Sequence, residues 1–147
     1  MTQKFMKLLI CMLTTLAFGM VTMTPIIATS AIKTTIPRSL RGTWYRYDKW
    51  EHHYNRLQLS RHYYLINGKT TLSSFSKGPK RIQVSRYNHK YRLNNPNYGY
   101  QDAGLFRVGK RKVNGHYRKA LFQYVNMGNV LVYLTYKTHH DYSYVLK

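Results

Sequence analysis

Apolar and polar side chains alternate along most of the chain after residue 40, and this period of two constrains the fold more than any other feature. A β-strand sends successive side chains to opposite faces, so an alternating row indicates a strand with one buried face. A helix needs apolar residues three or four apart, and no window after residue 31 combines such a stripe with helix caps. The alternating rows are Leu57 and Leu59; Ile82 and Val84; Ala120, Phe122 and Tyr124; Val130, Val132, Leu134 and Tyr136; and Tyr142, Tyr144 and Leu146.

Turn residues separate these rows. Asn67-Gly68 and Asn114-Gly115 are typical of two-residue hairpin turns, and Met127-Gly128-Asn129 marks a third turn. The stretch from Asn94 to Gly99 is the clearest loop. Fifteen tyrosines suit strands with one wet face. We therefore predict an all-β fold for residues 41–147, a small antiparallel barrel of about eight strands, because closure removes exposed strand edges.

The N-terminal segment has the order of a secretory signal peptide. Lys4 and Lys7 precede an apolar stretch from Leu8 to Ile27, and small residues follow at Ala28-Thr29-Ser30-Ala31. The stretch is long enough for a membrane anchor, but threonine, glycine and proline dilute it. We predict a signal peptide over residues 1–30, cut after Ser30 or Ala31, and a tether over residues 31–40 with few core residues. The expected location is outside the cell or on the cell wall.

Cysteine and length limit what the exported domain can do. The one cysteine, Cys11, lies within the predicted signal, so disulfides, thiol nucleophiles and cysteine zinc sites are excluded after cleavage. The remaining residues suffice for a single small domain with a modest core. A small secreted domain without disulfides suits a Gram-positive bacterial product.

The charge balance indicates the class of partner. After residue 30 there are 22 basic and 4 acidic residues, a formal charge of +18. Such a field attracts polyanions, which outside a bacterial cell are teichoic acids, anionic lipids and shed nucleic acid. The alternative is that the charge only keeps the domain soluble. The densest basic cluster flanks the Asn114-Gly115 turn, and we predict one polyanion-binding surface there, formed by Arg107, Lys110, Arg111, Lys112, Arg118 and Lys119.

The first predicted strand opens with Gly42-Thr43-Trp44-Tyr45. This motif resembles the opening motif of lipocalins and of the avidin group, which are calycin barrels that hold a small ligand inside. The resemblance implies that Trp44 closes the barrel floor against a basic side chain near the chain end, for which Lys137 and Lys147 are the candidates. Arg46 stands where the avidin group has an asparagine, so biotin binding is not implied. The whole exported part also resembles uncharacterised small secreted proteins of Gram-positive bacteria with the same motif, which implies export and a barrel-like domain.

Recognisable catalytic equipment is sparse. The four acids, Asp48, Glu51, Asp102 and Asp141, are scattered, which gives little basis for acid–base catalysis. The seven histidines include two adjacent pairs, whose members point to opposite faces on a strand and do not chelate one metal there. Serine nucleophile motifs, phosphate loops and dinucleotide fingerprints are absent from the sequence. We expect no enzyme activity, no cofactor and no metal.

Two stretches interleave basic and aromatic residues, Tyr45-Arg46-Tyr47 and Arg86 to Arg92. Such a mixture can stack nucleic-acid bases, but alternation more simply places tyrosines toward the core and cations toward solvent. Nucleic acid is therefore not the expected partner. The leading hypothesis is a binding protein for anionic envelope polymers or lipids. The alternatives are a calycin-like carrier of a small apolar ligand and, third, a secreted nuclease.

Overall fold

The computed structural model describes residues 33–94 and 103–147. The predicted signal peptide lies outside the described residues, as do residues 95–99 of the predicted loop. Within the described ranges there are ten strands, three short 3-10 turns and no α-helix, and no helix there is long and apolar enough to span a membrane. The strands are β1 Gly42–Asp48, β2 His53–Leu59, β3 Tyr63–Ile66, β4 Lys69–Ser73, β5 Ser85–Tyr87, β6 Lys90–Arg92, β7 Leu105–Val113, β8 His116–Tyr124, β9 Asn129–Leu134 and β10 Tyr144–Val145; the turns are Arg38–Leu40, Gly78–Lys80 and Asn126–Gly128.

All the strands belong to one antiparallel sheet that curls into a half-barrel, which confirms the predicted fold class. Nine strands follow the order β4-β3-β2-β1-β9-β8-β7-β6-β5, and β10 pairs with β9. The segment after β4 connects the two ends of this path: Ile82 N donates to Ser73 O at 3.0 Å, and Gln83 N donates to Leu93 O at 3.4 Å. Ile82 and Val84 thus lie in this connecting segment rather than in a strand of their own.

The predicted hairpin turns are present. Asn67 and Gly68 have φ of 50° and 84°, and Asn114 and Gly115 have φ of 47° and 83°, the left-handed values that a two-residue hairpin requires. Met127 and Gly128 also turn the chain with positive φ. A further turn between β5 and β6, at Asn88 and His89 with φ of 44° and 59°, has no glycine to reveal it in the sequence.

One core covers the sheet face that carries Trp44, which we call the inner face. Trp44, Tyr64 and Phe106 are its largest fully buried side chains. The Tyr64 and Phe106 rings meet edge to face at 5.9 Å between centroids, a favourable aromatic geometry. The inner face is therefore filled by aromatic and leucine side chains where the described strands curl.

A second, smaller core covers the opposite, outer face at β8 and β9. It contains Ala120, Phe122 and Val132, with Tyr142 and Tyr144 of the C-terminal segment packed against it. Backbone and side chains tie that segment down, since Val132 N donates to the Ser143 hydroxyl at 3.2 Å and Tyr144 pairs with Val130; these complete the second core. Burial on both faces explains why residues 120–123 are all buried despite their alternation.

The structure corrects the prediction of a tether over residues 31–40, within the part of it that is described. Ile36 and Leu40 are 0% exposed and belong to the inner core. Ile36 N donates to Arg61 O at 2.9 Å, and Lys33 bridges to Val84. Ile36 and Leu40 are not part of an alternating or helical row of apolar residues, so the sequence pattern did not predict that they are buried.

Candidate functional site

The β7–β8 hairpin carries all six predicted polyanion-binding residues, but divides them between two faces. The Asn114-Gly115 turn pairs β7 with β8 in a regular register, so directly opposed residues share a face. Three lysines lie on the inner face beyond the core, and three arginines lie on the outer face. We call these the lysine face, Lys110, Lys112 and Lys119 with Tyr117, and the arginine face, Arg107, Arg111 and Arg118 with His116.

The lysine face is open to solvent. Lys110 and Lys119 are directly opposed on the two strands, and Lys112 is opposed to Tyr117, whose side chain is 71% exposed. The side chains of all three lysines are exposed. The face therefore presents ammonium groups and one aromatic ring side by side.

The arginine face is tied to the outer core. The Arg111 guanidinium lies 4.8 Å from the centre of the Tyr144 ring, and Arg118 is directly opposed to Arg111. Burial raises the pKa of Tyr124, and the charge of nearby Arg107 offsets part of that rise. Gly109 leaves room for the Phe122 ring, because a Cβ at position 109 would lie only 3.1 Å from it. This face is therefore partly structural.

Carboxylates are concentrated elsewhere in the described chain. The Arg46 guanidinium binds Asp48 at 3.0 Å and Asp141 at 3.2 Å, with all three side chains 12–16% exposed. Glu51 contacts His53 at 3.3 Å. Among residues 33–94 and 103–147, no ion pair involves β7 or β8. The cations of the hairpin are thus left without a carboxylate partner within the described residues.

The ion pairs and hydrogen bonds of the Arg46 cluster shift the pKa values of its members. Burial acts to lower the pKa of Arg46, but Tyr133, Asp141 and Asp48 outweigh it, so the pKa is raised. The pKa of Asp48 is lowered, first by the backbone N–H of Trp50 and further by Arg46. The Asp48 carboxylate is therefore held as an anion. The prediction that Arg46 faces solvent between two core tyrosines is reversed, because Arg46 is on the inner side with Trp44.

Aromatic rings take the place that carboxylates usually have beside lysine and arginine. A ring face attracts a cation through its quadrupole without cancelling the charge. Lys90 Nζ lies 3.9 Å from the Tyr124 ring centre, and Lys49 Nζ lies 4.9 Å from that of Trp50, which is 82% exposed. The tyrosine and tryptophan rings thus position cations without neutralising them. The cations in such contacts are Lys49, Arg86, Lys90, Arg111, Lys119 and Lys137.

The opening motif is a packing device. Trp44 is 1% exposed and donates from Nε1 to Leu40 O at 3.0 Å. Gly42 has φ of 148°, a backbone conformation that residues with a Cβ rarely adopt. Thr43 and Tyr45 alternate to the outer side. The strand therefore needs glycine and tryptophan at these two positions.

The basic side chain over Trp44 is not one of the two candidates near the chain end. Lys119 Nζ lies 5.5 Å from the Trp44 ring centre, whereas Lys137 Nζ lies over Tyr45 at 5.8 Å. Neither Lys137 nor Lys147 makes this contact in the structure. Lys119 reaches the ring because it is the lysine of the lysine face that lies next to inner-core residue Leu121 on β8.

The histidines and acids form no metal centre within the described part of the chain, where no three histidine, cysteine or acidic side chains converge. His139 instead packs edge-on against Tyr47 and Tyr54 at 5.5 and 5.6 Å. The sequence did not reveal this ring cluster, because His139 is about 90 residues from its partners. Comparison with family models, with curated proteins and with solved structures found no match.

Proposed function

We propose that this protein is an exported, non-enzymatic binding protein for anionic phosphate polymers of the bacterial envelope, and that the lysine face makes the contact. The proposal rests on charge that the fold positions and does not neutralise. The export signal that places the domain among such polymers is part of the proposal.

A single relationship carries it: Lys110 is directly opposed to Lys119, and on the other face Arg111 is directly opposed to Arg118. Like charges at opposed positions destabilise a strand pair, by an amount similar to the roughly 0.2–1 kcal/mol that opposite charges contribute. Two such pairs lower the stability of the hairpin, which is expected where residues serve binding rather than folding. A polyanion laid along the hairpin removes the repulsion on the side that it binds.

The lysine face suits this contact better than the arginine face. Its lysines are exposed, and Tyr117 adds an amphipathic ring beside them. On the arginine face, in contrast, Arg111 is only partly exposed and its Nε is buried, although Arg107 and Arg118 are exposed. A flexible polymer with regularly spaced phosphates fits a row of ammonium groups, which do not demand a fixed geometry.

Purified poly(glycerol phosphate) teichoic acid is the probe that tests the proposal. We expect saturable binding that weakens steeply as salt rises, because each neutralised phosphate releases counterions. Replacing Lys110, Lys112 and Lys119 by glutamine should weaken binding at least tenfold. The matched control replaces Lys77, Lys80 and Arg81, three exposed cations after β4, and should change binding less than threefold. Equal loss in both variants would show diffuse attraction and overturn the lysine face.

Two further arms separate the other hypotheses. Vesicles containing phosphatidylglycerol test a lipid surface, and binding to them that exceeds binding to the polymer would overturn the choice of polymer. An RNA-degradation assay tests the nuclease hypothesis, and turnover would overturn the non-enzymatic assignment. The carrier hypothesis gains no support from the inner face, since Trp44, Tyr64 and Phe106 pack there with less than 2% exposure.

A further inference from the structure

A groove of about 390 Å³ lies along β1 and β2, and none of its lining residues belongs to the lysine face. It is open to solvent and is lined by Tyr45, His53, Tyr54, Arg56, Asn67 and Lys137. Tyr45 is directly opposed to Arg56 on the outer face, and Tyr54 is the diagonal neighbour of Tyr45. Its volume is within the range of about 300–1,000 Å³ that small-ligand sites occupy.

Two cations of the groove are positioned without a carboxylate. Lys137 Nζ lies 5.2 Å from the Tyr54 ring centre and 5.8 Å from that of Tyr45. The Arg56 guanidinium rests over the hairpin turn, since a Cβ on Gly68 would stand 3.2 Å from Nη2. Within the described residues neither cation has an ion-pair partner. The groove therefore holds positive charge in place for an anion.

The hairpin turn makes one wall of the groove rigid. Asn67 Oδ1 accepts from Arg56 N at 2.7 Å, and Asn67 Nδ2 donates to Asn55 Oδ1 at 3.2 Å. On the other side, Tyr54 packs against Tyr47 at 5.4 Å and against His139 at 5.6 Å. A wall fixed in this way loses little freedom when a ligand binds, which favours affinity.

We propose that this groove binds the phosphoryl group of a small polyol phosphate, as a site separate from the lysine face. Arg56 supplies a planar fork that matches phosphate oxygens, and Lys137 supplies a point charge. Tyrosine hydroxyls in the lining can donate to or accept from the hydroxyl groups of the polyol. A carboxylate fits less well. Its two oxygens match the fork of Arg56, whereas a phosphoryl group has a third oxygen for Lys137.

Glycerol 3-phosphate is the probe, titrated into the isotope-labelled protein while amide shifts are followed by NMR. We expect saturable shifts at residues of β1, β2 and the Asn67-Gly68 turn. Inorganic phosphate should bind at least tenfold more weakly, and glycerol should cause no shifts. Equal affinity for inorganic phosphate would reduce the groove to a general anion site and overturn the proposal.

Two variants locate the site. Lys137→Met keeps an unbranched side chain over the tyrosine rings, and Arg56→Gln keeps a polar group; each should weaken glycerol 3-phosphate binding at least tenfold. Lys77→Gln is the control and should leave binding unchanged. Spectra that match the parent away from the groove show that each variant is folded. If folded Lys137→Met and Arg56→Gln bind as the parent does, the proposal is wrong.

The variant lacking Lys110, Lys112 and Lys119 separates this proposal from the proposed function. It should bind glycerol 3-phosphate with the parent's affinity, because Tyr45, Tyr54 and Arg56 of the groove lie on the outer face and the three lysines lie on the inner face. Loss of glycerol 3-phosphate binding in that variant would contradict a separate site. Failure of the polymer to bind the parent protein leaves the groove test intact, so the two ideas fail independently.

Discussion

Lys110 on β7 and Lys119 on β8 are directly opposed across the hairpin, on the same face of the sheet. Arg111 and Arg118 repeat the arrangement on the other face. Lys119 is held from below by the Trp44 ring at 5.5 Å, while its charge stays unpaired among the described residues. These cations are held in position but not neutralised, and our proposal that the hairpin binds a polyanion rests on that observation.

Lys110→Glu should change stability and binding in opposite directions. It turns a repulsive pair into an attractive one, so we expect the free energy of unfolding at low salt to rise by about 0.5 kcal/mol. Polymer binding should weaken, because one cation is lost and an anion is added. Urea unfolding and a binding titration measure the two effects, with Lys77→Glu as a control of equal charge change. A destabilised Lys110→Glu variant would show that the opposed lysines do not repel.

Acid should destabilise the protein through Asp48. Its folded-state pKa is lowered, first by the Trp50 backbone N–H, so its contribution to stability is present above the unfolded pKa of about 3.9. The contribution is lost as the pH falls through the lower folded value. Asp48→Asn keeps an acceptor for the backbone but does not titrate. We therefore expect its free energy of unfolding to vary less below pH 4 than that of the parent, as followed by urea unfolding at each pH.

Alkali should destabilise the protein through its buried tyrosines. Burial raises the pKa values of Tyr64 and Tyr133, whereas a tyrosine in the unfolded chain ionises near pH 10. Stability is thus full below about pH 10 and is lost as the pH rises beyond it. Tyrosinate absorbance should rise in two steps, the second coinciding with loss of β-sheet signal. Tyr64→Phe should lessen the loss above pH 10, and ionisation of all tyrosines before unfolding would contradict their burial.

The two tryptophans should behave oppositely. Trp44 is buried with its Nε1 bonded to the Leu40 carbonyl, and Trp50 is 82% exposed. Trp50→Phe should leave a blue-shifted emission that acrylamide quenches poorly, with unchanged stability. Trp44→Phe should lower the free energy of unfolding by about 1–3 kcal/mol through the lost hydrogen bond and the void. Red-shifted emission in Trp50→Phe would contradict the packing of the opening motif.

Local patterns predicted much of the fold. Alternation at Ala120, Phe122 and Tyr124 identified β8, and the asparagine–glycine pairs located two hairpins. The same turn also fixes which residues are opposed, because positions equally far from Asn114 and Gly115 must pair. The division of the basic cluster into two faces was therefore present in the sequence, although composition alone pointed to one surface.

Contacts between distant segments were beyond the reach of local pattern. Arg46 and Asp141 are 95 residues apart, and no local sequence pattern near either residue predicts their ion pair. The burial of Ile36 and Leu40 depends on the curl of a sheet that forms after them in the chain. The groove around Lys137 likewise needs the C-terminal segment to return to β1 and β2. Each of these features follows from tertiary packing rather than from periodicity.

The salt dependence of teichoic acid binding tests the central claim most directly. The logarithm of the association constant should fall linearly with the logarithm of the salt concentration, with a slope of roughly 0.7 for each phosphate neutralised. The variant with glutamine at positions 110, 112 and 119 should show a slope smaller by about 2, and the Lys77, Lys80 and Arg81 control should keep the parent slope. A parent slope retained by the lysine-face variant, or binding by the parent that is insensitive to salt, would contradict the account.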